Sequence, residues 1–184
     1  MRAIIGIDFE FNPTYESVYK QDPIEIGLFN IHNRLYFHSF IKCKRKLGKW
    51  QRNNLKHIND DLLSKSPTID IVAYNMVLYL NYQSTIYDEI ILVGHDSNNI
   101  DFPVFREMLN YVNYYNIFFH NKIIYCDTLN QVKNFIKTND KLNIRSLKLS
   151  YLYSYFFSSN DLTSHKALED AEASAKIHIF LNTI

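Results

Sequence analysis

Apolar positions fall into short runs in the first 45 residues and into helical spacing after residue 67. Residues 3–9, AIIGIDF, are a nearly continuous apolar run that predicts a buried strand. Residues 24–31 and 35–41 give two further strands. Only His32-Asn33-Arg34 separates them, so they form an antiparallel hairpin. Residues 42–67 read as polar and irregular, with a short helix around 51–57. Pro67-Thr68 then opens a helix, with Ile71, Val72, Val77, Leu78 and Leu80 at roughly helical spacing. The run EIILVG, residues 89–94, is a fourth strand, followed by a loop and a helix over 102–115. Residues 122–126 are a fifth strand, and Asp127 before Thr-Leu caps the helix that follows. Helices over 144–155 and 166–181 finish the chain. A hairpin first and strand–helix units afterwards predict an α/β fold: a mixed five-stranded sheet with an N-terminal antiparallel hairpin, flanked by helices.

With 184 residues and neither an internal repeat nor a low-complexity linker, the chain is expected to be one domain over 1–184. Its 47% hydrophobic and 21% charged residues exclude a disordered chain. The 14 Tyr and 13 Phe beside only 4 Gly match codon usage in an AT-rich genome and point to no function. A net charge of +1 provides no general field for nucleic acid. Lys42, Lys44, Arg45, Lys46, Lys49 and Arg52 form a local basic cluster, either a nucleic-acid contact or a solvated loop. Cys43 and Cys126 make neither a disulfide framework nor a zinc site, which suits a reducing compartment. No run approaches the length of a membrane span, and the chain opens into a strand without a signal-peptide pattern. A cytoplasmic protein is expected.

Asp8 and Glu10 carry the strand period, so both side chains leave one face of an extended chain. Either they are solvated at a fraying strand end, or a cation, most naturally a divalent metal, sits between them. Asp101 follows the fourth strand in LVGHDSNNIDFPVF, at a helix start where it could serve as an N-cap. The carboxyl ends of strands are also where ligands bind in open α/β sheets. In TSHKALEDAEASAKI, Ser164 is a reasonable cap, whereas Asp170 lies too far inside the helix for capping to explain it. Ala167, Ala171 and Ala175 make a small face that can approach a sheet closely, with Asp170 beside it. His165 stands at the mouth of the same helix.

In this order, Asp8-x-Glu10, Asp101 and His165-x-x-x-x-Asp170 resemble the three motifs of the DnaQ-like DEDDh 3′–5′ exonucleases. This is the RNase T and DNA polymerase III epsilon-like group, with a ribonuclease H-like fold. PIEIGLFNI looks like the family's second strand, CDTL like the segment after its second motif, and SHKALEDAEASAKI is close to its third. The chain departs from the pattern in several places. His95-Asp96 and Ile100-Asp101 stand where His-Asn and Phe-Asp are common, so Asp96 competes with Asp101 as the ligand. DFPVF after Asp101 favours Asp101. Phe11 replaces a common Thr, and DFEF occurs among relatives of RNA-trimming enzymes, which leaves DNA or RNA open.

The resemblance implies an enzyme using two Mg²⁺ or Mn²⁺ ions held by Asp8, Glu10, Asp101 and Asp170. Asp8 would bridge both ions, Glu10 and Asp170 would complete one shell, and Asp101 would act on the other side, partly through water. Neutral His165 would be the general base, with His95 the next candidate. The substrate implied is a single-stranded DNA or RNA 3′ end, cut to nucleoside 5′-monophosphates, with no membrane involved. A polymerase or other protein partner is left unspecified, and the chain ends with its last helix, so no polymerase-tethering tail is expected. By alternation Phe9 belongs to the core, and Phe11 or Phe102 could stack on a base. A catalytically weak or inactive module binding a nucleic-acid end or a partner on the same fold is the alternative. A structural domain with solvated acids is the third reading.

Overall fold

The apolar run at the start of the chain becomes the central strand of a sheet. The structure, a computed structural model, describes residues 1–12, 22–112, 123–139, 143–159 and 165–183. Strand β1 (Arg2–Asn12) pairs antiparallel with β2 (Asp22–Asn30), which pairs antiparallel with β3 (Tyr36–Phe40). On its other side β1 runs parallel to β4 (Glu89–Gly94), and β4 runs parallel to β5 (Ile123–Asp127). The sheet order is β3-β2-β1-β4-β5, the mixed five-stranded sheet that the hairpin and strand–helix pattern predicts. Pairing of β1 continues past Phe9 to Asn12 opposite Asp22, with a register shift between Glu10 and Phe11. Asp8 and Glu10 therefore stand inside a paired strand rather than at a frayed end.

Three helices lie between β3 and β4: α1 (Lys49–Asn54), α2 (Asp60–Lys65) and α3 (Ile69–Ile86). Helix α4 (Asp101–Tyr111) follows β4, and α5 (Thr128–Thr138), α6 (Leu149–Phe157) and α7 (Ala167–Thr183) follow β5. One sheet face, carrying Ile5, Ile7, Phe9, Ile26, Leu28, Ile90 and Leu92, packs on Val72, Met76 and Leu80 of α3 and Phe105 and Met108 of α4. The opposite face carries α7. Side chains at Gly6 and Gly27 would collide with the α7 backbone, at the Ala171 carbonyl and at the Ala167–Leu168 peptide. Two strand glycines and the fully buried Ala167 and Ala171 thus let α7 lie directly on β1 and β2. Val132, Leu152 and Ile177 join α5, α6 and α7 in a separate cluster. Ile24, Leu47, Leu55, Ile58 and Leu63 pin the 47–63 segment to β2.

Several elements differ from expectation. The segment 42–67 is less irregular than its polarity implies. It contains α2, capped by Asn59, whose side chain accepts the Leu62 N–H, with Leu63 as its buried residue. The short helix expected over 51–57 runs Lys49–Asn54. On α3 the buried stripe is Val72, Ala73, Met76, Val77 and Leu80, whereas Ile71 and Leu78 are exposed. Helix α6 starts at Leu149 rather than 144. Ile144 and Leu147 pack on the α5–α7 cluster from an irregular segment, and the Leu147 carbonyl faces His95 instead of a helical N–H. Asp127 caps α5 as expected, accepting the Leu129 N–H. The expected end of the 102–115 helix, residue 122 and Ser164 lie outside the described residues. Cys43 and Cys126 are free thiols. Among the described residues no helix is long and apolar enough to cross a membrane.

Candidate active site

Strand β1 presents Asp8 and Glu10 on the face covered by α7, opposite Gly27 and Glu25 of β2. The close seat of α7 brings Asp170 to them. Asp170 does act partly as a reach-back cap, because its Oδ2 accepts the His165 N–H at 2.8 Å. Its Oδ1 is buried with no hydrogen-bond partner. Asp170 also belongs to a group in which Glu10, His165 and Asp170 each offer a ligand atom within 4.8 Å of the others. His165 has φ 74°, in the left-handed region, and its Nδ1 lies 3.9 Å from Glu10 Oε1.

Asp101 enters from the first turn of α4 and does not serve as its N-cap, which is Ile100. Its carboxylate accepts the Ser97 hydroxyl at 2.6 Å and the Phe9 N–H, which ties the start of α4 to β1. Asp96 is exposed, and its N–H donates to Asp127. Asp101 is the buried member of the two and the one whose charge acts on Asp8. His95 has both ring nitrogens engaged, Nδ1 with the Thr128 hydroxyl at 2.9 Å and Nε2 with the Leu147 carbonyl at 2.8 Å. A carbonyl only accepts, so Nε2 carries the proton, and burial holds the ring below its ordinary pKa.

Four carboxylates in one cleft repel one another and lose water, and both effects favour protonation. Asp8 is pushed well up by burial first, then by Asp101, Asp170, Glu10 and Glu25. Burial, Asp170, Glu25 and Asp101 raise Glu10 to about 8. Burial raises Asp101 to about 7 against the Ser97 and Phe9 hydrogen bonds, which lower it. Burial raises Asp170 to about 6 although the His165 N–H opposes the shift. Such a group accepts either protons or cations. His165 moves the other way, lowered by burial and then by the charge of Lys148.

Of the two aromatic candidates for stacking on a base, the structure closes Phe102. Phe102 is 1% exposed and packs edge-on against Tyr125, so its ring belongs to the core and is closed to a base. Phe11 is half-buried, stacked on Phe9 and packed on the α3–α4 side of the sheet, away from the carboxylates. Phe9 is core, as alternation requires. Trp50 of α1 was not singled out by the sequence. It is 50% exposed, and its ring meets His165 edge-on at 5.3 Å between centroids. In the basic cluster around it, Arg45 pairs with Asp22 and Arg52 with Asp60.

The RNase_T exonuclease family model matches residues 5–178. No curated protein matches the chain in sequence. Among solved structures, the chain is similar to the nuclease domain of 3′hExo, a DEDDh family member, bound to rAMP. That likeness has 17% identity and a TM-score of 0.68, over 98% of this chain and 92% of the other. It is similar to a 3′-exonuclease in a structure of 3′-end specific recognition of histone mRNA stem-loop, at 14% identity and TM-score 0.69, over 98% and 81%. E. coli Exonuclease I in complex with a dT13 oligonucleotide gives 13% identity and TM-score 0.72. All of this chain is covered there, but only 41% of that one. These likenesses carry the ribonuclease H-like exonuclease fold.

Proposed function

The chain belongs to the RNase_T exonuclease family, and from that premise we propose a metal-dependent 3′–5′ exonuclease acting as a single domain in the cytoplasm. Its substrate is a single-stranded DNA or RNA 3′ end, and its product is nucleoside 5′-monophosphate. The observation that carries this reading is Asp170 Oδ1, buried without a partner among acids whose proton affinities are raised. A buried carboxylate oxygen left bare is costly, and a cation is the partner this donor set suits. Oxygen donors select Mg²⁺ or Mn²⁺ over softer metals, so the residues fit the group.

Asp8, Glu10, Asp101 and Asp170 would hold the ions. When bound, two such ions lower the pKa of a water and stabilise the leaving 3′ oxygen. His165 accepts the proton of the attacking water. Its lowered pKa leaves the imidazole neutral at neutral pH, and its N–H bond to Asp170 fixes the ring's backbone. The water oxygen bonds to phosphorus, and the bond from phosphorus to the 3′ oxygen breaks. That oxygen leaves as a hydroxyl after taking a proton from solvent, to which His165 returns the one it accepted. Trp50 offers its ring to the terminal base, a contact that tolerates any sequence. Structures of related fold hold rAMP or dT13, which supports testing both sugars.

The test uses oligonucleotides labelled at the 5′ end, as DNA and as RNA, with Mg²⁺, Mn²⁺ or EDTA. A ladder shortening from the 3′ side only when metal is present is expected. Cuts in a circular single strand, or immediate release of the labelled nucleotide, overturn the reading. His165→Asn separates the base from the ligands. Asn tolerates the left-handed backbone and keeps the N–H to Asp170, yet turnover should fall by roughly 10²–10⁴-fold.

A further inference from the structure

A buried acid beside the four carboxylates has no part in that scheme. The β1–β2–β3 register sets Glu10, Glu25 and Phe40 in one row across the sheet, and Asp8, Gly27 and His38 two residues along, in the next row on the same face. Glu25 is 2% exposed. Each of its oxygens takes one imidazole: Oε1 meets His38 Nε2 at 2.7 Å and Oε2 meets His57 Nε2 at 2.8 Å. An ionised carboxylate only accepts, so both Nε2 atoms donate and neither oxygen is left bare. Burial pushes the Glu25 carboxyl up, but the two histidine hydrogen bonds and then their charge hold it below the ordinary range.

The three side chains do not make a metal centre. Each nitrogen addresses a different oxygen, and among the described residues the convergent ligand group is Glu10, His165 and Asp170. What they join is chain. His57 follows α1, so its bond to Glu25 fastens the far end of the α1 segment to the sheet. The near end is fastened to β1: the Gly48 N–H donates to Asn12 Oδ1 at 3.0 Å, and Gln51 Nε2 donates to the Phe11 carbonyl at 3.0 Å. Trp50 lies between the near-end ties at Gly48 and Gln51, on the segment that runs on to His57, with its ring against His165.

We propose that Glu25, clasped by His38 and His57, is a positioning residue that holds α1 and Trp50 at the carboxylate cleft, and so governs how tightly the 3′-terminal nucleotide is held. This rests on the exonuclease reading above. The clasp touches no reacting atom, so its loss falls on substrate binding more than on the chemical step. Leu55 and Ile58 remain packed on Ile24 without it, so the segment stays folded while its aim changes.

Trp50 is the chain's one tryptophan, so fluorescence excited selectively at tryptophan, beyond the absorption of the 14 Tyr, reports on this segment alone. The experiment compares wild type, His57→Leu, His57→Gln and Glu25→Gln by melting, iodide quenching of Trp50, and kcat and KM on a 5′-labelled oligonucleotide with Mg²⁺. His57→Leu should alter Trp50 quenching and raise KM roughly tenfold, with kcat within about threefold. Glu25→Gln, whose charge also acts on Asp8 and Glu10, should alter quenching and raise KM alike. His57→Gln, which keeps an N–H donor, should recover most of both. Wild-type quenching and KM in folded His57→Leu and Glu25→Gln overturn the clasp. So does a loss confined to kcat. If wild type cleaves no oligonucleotide, the exonuclease reading fails, while the quenching comparison still decides whether the clasp positions Trp50. Should His57→Leu fail to fold, Glu25→Gln against His57→Gln carries the same comparison.

Discussion

At the scale of single residues, the cleft behaves as a store of protons that metal should release. A group whose folded pKa is raised contributes stability below its unfolded value and loses it as pH rises through the folded value. Glu10, at about 8, and Asp101, at about 7, therefore cost the metal-free fold stability as pH rises from the ordinary carboxylate range to about 8. The part of that fall above the ordinary histidine range is the window to measure. The buried His95 and His178, held neutral, matter only below that window, and Glu25 shifts in the opposite sense at lower pH. Each pKa unit is worth about 1.4 kcal/mol at a group acting alone. Melting in EDTA should fall from pH 6.5 to 8.5, and the gain from Mg²⁺ or Mn²⁺ should grow over the same range. Saturation 100-fold above Kd adds about 2.7 kcal/mol. A flat metal-free profile, or a metal gain that shrinks with pH, contradicts this account. Glu10→Gln should make the profile shallower, since Gln carries no titrating charge while Asp8 and Asp101 still titrate.

Elements matter here through how closely they approach. Asp170 reaches β1 because α7 rests on Gly6 and Gly27 through Ala167 and Ala171, with no side chain between helix and sheet. Gly27→Ala puts a methyl into the Ala167–Leu168 peptide, and backbone cannot swing aside as a flexible side chain can. The expected cost is about 1–3 kcal/mol, with oligonucleotide cleavage reduced beyond what melting explains, since α7 must lift its acid away from Asp8 and Glu10. Equal activity and melting temperature in Gly27→Ala would mean that the helix has room to spare. The small Ala face of this helix was legible in the sequence because it repeats at helical spacing. The strands were legible for the same kind of reason, as apolar runs bounded by turns. Helix α2 was not, since with one buried residue, Leu63, it has no period to detect. The start of α6 was misplaced because apolar Ile144 and Leu147 serve the core from an irregular segment, and a hydrophobic pattern cannot tell the two apart.

Across the whole molecule, the legible part of the candidate site is the part written locally. Asp8 and Glu10 share a strand, His165 and Asp170 a helix mouth, and Asp101 opens a helix after a strand. Trp50 and the Glu25–His38–His57 clasp meet only through sheet register and the path of residues 41–58, so no short window of sequence carries them. The same long-range view bears on charge. A net charge of +1 leaves the substrate backbone to local cations, and Arg45 and Arg52 are already paired with Asp22 and Asp60. If the last base stacks on Trp50, as proposed, exposed Lys49 is a candidate for a phosphate contact, beside Lys148, whose charge acts on His165. Single strands lose about 0.7 in the slope of log affinity against log salt for each phosphate contact removed. Lys49→Ala should therefore weaken oligonucleotide binding and make its salt dependence shallower by about that amount. Lys65→Ala, far along the chain and paired with Asp61, should leave the slope unchanged. Equal slopes for wild type and Lys49→Ala would show that the strand leaves the cleft by a path that avoids α1, and the clasp would then have to act on the terminal base alone.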